Sequence, residues 1–65
     1  MKQMKVYIEI DTENEAFGPD EYSAANETVN VLMEICESIE NASLLEDMKI
    51  QDTNGNTCGK MTVTH

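Results

Sequence analysis

The side chains of this sequence that could do chemistry are thirteen carboxylates, two thiols and one imidazole. The imidazole, His65, is the last residue, and the thiols, Cys36 and Cys58, form no Cys-x-x-Cys pair. A zinc site therefore has no ligand set. No Ser/His/Asp or Cys/His set is available for nucleophilic catalysis either. Asp52-Thr53-Asn54-Gly55-Asn56 has the composition of a calcium loop. Such a loop needs glycine at its sixth position and glutamate at its twelfth. Here glycine falls fourth and Val63 twelfth. None of the carboxylates has a His, a cation or an apolar pocket beside it in sequence that would set its proton affinity apart from its neighbours. The expectation is a protein that is not an enzyme, with no metal and no cofactor.

What remains is charge. Thirteen Asp and Glu face four Lys and Arg, for a formal net charge of −9. No basic patch exists that would hold nucleic acid directly by neutralising phosphates. The acids concentrate between Glu9 and Glu40, and the segment from Glu21 to Asn41 contains no Lys or Arg. Glu37 and Glu40 stand where a helix of that span would end, the end at which the macrodipole favours cations. Charge of this kind serves solubility. It also suits an acidic ridge that imitates nucleic-acid phosphates, which in duplex DNA follow one another about every 1.7 Å of axis. On this reading the partner-binding residues are Glu13, Glu15, Asp20, Glu21, Glu27, Glu34 and Glu37. The partner is a basic surface of a host protein or nucleoprotein complex.

These side chains must be positioned by a single small domain, residues 1–65. Met4, Val6, Ile8 and Ile10 alternate with polar residues, the pattern of a half-buried strand. A polar connector with a lone Phe17 follows, and Phe17 could staple back onto the next element. Gly18-Pro19-Asp20-Glu21 reads as a helix start, with Pro19 at the first helical position. Tyr22, Ala25, Val29, Leu32, Cys36 and Ile39 then recur at steps of three and four and form the expected buried stripe. Val31 and Met33 fall beside it as partly exposed residues, and Glu27, Glu34 and Glu37 fall opposite it. Truncating mid-stripe Leu32 to Ala would then cost about 2–5 kcal/mol. Asn41 is placed as a left-handed helix end, and Leu44 and Leu45 are expected to close the core.

Met48 and Ile50 mark a second strand, and Met61 and Val63 a third. Asn54-Gly55 between them is a hairpin signal. A two-residue loop sets Met48 opposite Met61 and Ile50 opposite Gly59, with the apolar residues on one face; a one-residue slip would turn Met61 and Val63 away. It leaves Lys49 facing Lys60 on the other face, with Cys58. The fold class predicted is α+β: β-α-β-β, a three-stranded antiparallel sheet in the order 2-3-1 with one helix on one face.

The chain resembles a group of small uncharacterised acidic proteins of phages and prophages. The resemblance rests on the strand that ends in the acidic patch Ile8-Glu9-Ile10-Asp11-Thr12-Glu13-Asn14-Glu15-Ala16-Phe17, the single amphipathic helix, and the hairpin from Ile50 to Gly59. It implies a phage or mobile-element origin, a setting in which small acidic proteins often resemble inhibitors of host defence, including anti-CRISPR proteins that act as DNA mimics. The alternative is a structural or assembly module that dimerises through its open sheet face, with charge serving solubility. No apolar run approaches the ~20 residues of a membrane span, and there is no basic segment leading into an apolar one. Two cysteines without such a leader suit the cytoplasm of a host cell.

Overall fold

The computed structural model describes residues 3–65. Strand β1 (Lys5–Ile10) leads through a 3₁₀ turn (Glu15–Phe17) into helix α1 (Glu21–Ala42), and strands β2 (Met48–Gln51) and β3 (Thr57–Thr64) follow. The sheet is antiparallel in the order β1-β3-β2, with the last strand central as the sequence predicts. The helix packs on one face, and the fold is α+β.

Asp20, not Pro19, sets the start of α1. It is the N-cap, and its carboxylate accepts from the Ser23 N–H at 2.8 Å. Gly18 precedes it at φ 71°, and a β-carbon there would meet the Ser23 side chain at 2.5 Å. The helix runs past Asn41. Ser43 takes the left-handed position at φ 57°, and its N–H donates to the Ile39 carbonyl. Leu44 and Leu45, beyond it, are exposed.

The buried face of α1 is not the expected stripe. Val31 and Ile35 are buried, with Ala24 and Ile39 packed beside them, and Glu27 lies on the same line. Tyr22, Val29 and Cys36 are exposed, and Leu32 is 39 % exposed. The helix is thus turned by about a third of a revolution from the predicted orientation. Its apolar arc is wide enough to offer two stripes. The one that faces the sheet is the one that carries Glu27, for a reason given by the hairpin loop.

That loop has three residues, Thr53 to Gly55. The Asp52 N–H donates to the Asn56 carbonyl and the Gly55 N–H to the Asp52 carbonyl. Gly55 has φ 85°, while Asn54 stays at negative φ, so the two-residue turn that needs both positive does not form. The pairing nevertheless reaches Met48↔Met61, Lys49↔Lys60 and Ile50↔Gly59 as predicted. The odd loop is compensated by an irregularity between Ile50 and Gln51, where the register shifts by one and Cys58 is the extra residue of β3. The bulge turns Cys58 into the core, away from the open face where strict alternation would put it.

The core consists of Phe17, Val31, Ile35, Ile50, Cys58 and Met61. Phe17, the lone aromatic of the connector, is fully buried. Gly59 serves the packing of strands: a β-carbon there would lie 1.9 Å from the Glu9 carbonyl oxygen, so β1 and β3 approach closely only because the side chain is absent. The space that a side chain at this position would fill is taken by the β1 backbone.

The corrected helix orientation sets a paired expectation. Ile35→Ala should cost about 2–5 kcal/mol in urea unfolding, the range for a buried aliphatic side chain. Leu32→Ala should cost under about 1 kcal/mol, as befits a partly exposed position. The reverse order of the two would restore the first stripe.

Candidate functional site

The acidic connector is fastened at two points. Asn14 donates through Nδ2 to Asp52 Oδ2 at 3.0 Å, and Phe17 is sunk in the core. The Phe17 N–H returns to the Asn14 carbonyl and the Gly18 N–H to Glu15, closing the 3₁₀ turn. Upstream, Asp11 Oδ1 accepts from the Glu13 N–H at 2.9 Å. With the alternate residues tied down, Glu13 and Glu15 point to solvent. Asp20 and Glu21 follow at the helix start, also exposed. The Ser23 backbone N–H and then its hydroxyl hold the Asp20 carboxyl below the ordinary carboxylate range, so it is charged at neutral pH.

Glu34 and Glu37 are exposed on α1, about 20 and about 24 Å along the axis from Glu21 at 1.5 Å per residue. Glu27, expected opposite the apolar stripe with Glu34 and Glu37, does not belong to the exposed set. It is 5 % exposed, and its Oε2 accepts from the Thr53 N–H at 2.8 Å. Asn26 and Asn30 occupy the surface between. The acids therefore form two separate groups, one on the connector and helix start and one on the second half of the helix, rather than a continuous ridge.

A second set of polar residues, which the sequence did not reveal, surrounds the hairpin loop. Asp52 is 4 % exposed, and its Oδ1 accepts from the Asn54 and Asn56 N–H groups, each at 3.0 Å. Together with Glu27 on Thr53 and Asn14 on Asp52, this joins the loop, the helix and the connector. The signal was present as an Asp two residues before Asn-Gly, the side chain that folds back on its own loop. Of the oxygens that suggested a calcium loop, those of Asp52 are occupied, Oδ1 by backbone N–H groups and Oδ2 by the Asn14 amide. Next to this set, burial and then the Asp52 charge push the Cys58 thiol upwards in pKa. Cys36 is free and exposed on α1, and Cys58 is free and buried.

On the open sheet face, Lys49 and Lys60 stand opposite each other, and Glu9 stands opposite Lys60 from the other side. Among the described residues, no helix is long and apolar enough to cross a membrane. Comparison of the chain with protein-family models, with curated proteins and with solved structures gives no match.

Two outcomes follow. Glu27→Gln keeps an oxygen for Thr53 and should unfold close to the wild type. Glu27→Leu removes the charged acceptor of this part-buried N–H and should cost about 1–3 kcal/mol; equal stability of the two variants would contradict the contact. In thiol titration of the native protein with a disulfide reagent at mildly alkaline pH, Cys36 should react at once. Cys58 should react only on addition of denaturant, and two fast thiols would place Cys58 outside the core.

Proposed function

We propose that this protein is a non-enzymatic, acidic binding protein that occupies a basic, nucleic-acid-binding surface of another protein in place of phosphates. The observation that supports this reading is the placement of charge. Of the thirteen acids, all but Glu27 and Asp52 are exposed. Where they gather, on the connector and on the second half of α1, no lysine intervenes in sequence. An acidic surface of this density contributes to encounter rate and partner choice through complementary charge. Its two separated groups suit a two-point contact with a basic surface more than the imitation of an unbroken phosphate run. The resemblance to phage and prophage proteins directs the reading to a complex of host defence, of the CRISPR kind, in the cytoplasm of the host cell.

The test begins with capture of partners from host lysate at low and high salt, followed by affinity measurement on the captured protein. Glu13, Glu15, Glu34 and Glu37 reversed to Lys should leave the fold intact, since all four are exposed and none of their carboxylates accepts a backbone N–H. Binding should be abolished, because like charges meeting across an interface cost several kcal/mol. Lys49 and Lys60 changed to Gln should leave binding unchanged or stronger. Wild-type affinity should fall steeply with salt. A folded reversal variant that binds as before, or an affinity indifferent to salt, would overturn the reading.

A further inference from the structure

Helix α1 leaves β1 largely uncovered. The cleft between the helix and β2 is lined by Val31, Glu34, Ile35 and Ser38 against Met48–Gln51, so the Glu34 flank faces β2. By the helical period the opposite flank carries Leu32 and, further round, Cys36; it lies on the β1 side and is exposed. On β1, Val6 and Ile8 stand opposite Val63 and Met61 in the register, on the helix side of the sheet. They are 42 % and 44 % exposed nonetheless.

The surface area says the same. The chain exposes 5043 Å², against roughly 4,200 Å² for a folded monomer of this mass.

β1 is also an edge strand. It carries no proline and shows no register shift against β3, two of the usual devices that blunt an edge. The Asp11 N–H donates to the Cys58 carbonyl at 2.7 Å. Continuing that alternation, the odd-numbered residues of β1 address β3, and the N–H and C=O groups of Val6, Ile8 and Ile10 point to the free edge.

The geometry points to a second copy of this chain as the occupant of that edge: β1 pairs antiparallel with β1 across a two-fold axis, giving one six-stranded sheet with both helices on the same side. Outward-pointing groups can only meet outward-pointing groups, so even-numbered residues pair with even-numbered ones. This keeps both apolar sides together. Centring the pair on Tyr7 sets Val6 opposite Ile8 of the second copy, and Lys5 opposite its Glu9, each twice by symmetry. Across the open face the row then reads Lys49, Lys60, Glu9, Lys5, so that Glu9 stands between two lysines. Moving the centre to Val6 sets Lys5 opposite Tyr7 and loses the ion pair. Moving it to Ile8 sets Lys5 opposite Asp11, which lies beyond the strand and already holds the Glu13 N–H. The assignment does not depend on what the acidic groups bind.

The experiment is a charge exchange read by size-exclusion chromatography with light scattering from micromolar to millimolar protein. The wild type should be a dimer. K5E alone sets a carboxylate against the carboxylate of Glu9, and E9K alone sets an ammonium against the ammonium of Lys5. Each should therefore lose the dimer while keeping its circular dichroism. In their equimolar mixture a K5E chain meets an E9K chain, each like-charge contact can be exchanged for a pairing of unlike strands, and the dimer should return. A monomeric wild type, single variants that still dimerise, or a mixture that stays monomeric would overturn the assignment. Because E9K also meets Lys60, a second readout avoids it: in a C36S background, Y7C should oxidise to a covalent dimer, since the two copies of position 7 face each other at the axis. K5C in the same background should not. Cross-linking of both variants, or of neither, would likewise overturn the register.

Discussion

Two buried carboxylates, Glu27 and Asp52, need donors, and here the backbone N–H groups of the hairpin loop provide them. From Asp52 to Asn56 each N–H is used. Asp52 and Gly55 close the loop through main-chain carbonyls, Thr53 donates to Glu27, and Asn54 and Asn56 donate to Asp52. The remaining Asp52 oxygen takes Asn14. A buried carboxylate without such partners would be costly; the loop N–H groups and the Asn14 amide satisfy both. Much of the fold depends on this clasp. It orients α1, because Glu27 must face the loop and so brings Val31 and Ile35 onto the sheet. It ties the connector beside the loop, while Phe17 is carried into the core. It also holds the three-residue loop whose odd length makes the Cys58 bulge necessary.

How far the sequence disclosed this structure follows from the same constraint. The strands, the helix, the strand order and the pairing of Met48 with Met61 were legible because alternation, helical period and Asn-Gly are local signals. The face of the helix was not. A glutamate in a helical pattern ordinarily marks the solvent side, and that inference chose the stripe through Leu32 over the stripe through Glu27. Only a partner twenty-six residues away, the Thr53 N–H, reverses it. The pairing register was right although the loop length was not, because loop and bulge shift the register by one each in opposite senses. Cys58 was assigned to the wrong face by the same omission. Of the acids singled out for binding, Glu13, Glu15, Asp20, Glu21, Glu34 and Glu37 are exposed as their surroundings in sequence suggest, while Glu27 is spent on structure.

The fold also bears the marks of its size. A domain this small closes a core of few residues, and one helix cannot cover three strands. The helix takes the two strands joined by the clasped hairpin, and β1 is held mainly by its pairing with β3, close enough to need Gly59. Apolar side chains left along β1 and the adjoining helix flank are the consequence. Carboxylates crowd the connector and helix instead, so self-association and contact with a basic partner would use different parts of the surface.

The central claim is that the Glu27 and Asp52 carboxylates hold the hairpin loop as part of the cooperative core. Native-state amide hydrogen exchange tests it residue by residue. The N–H groups of Thr53, Asn54 and Asn56 should exchange only through global unfolding, with the same opening free energy as those of β3, despite lying in a loop. Exchange at the rate of an open loop, with β3 still protected, would show that the carboxylates do not hold those groups and would contradict the account.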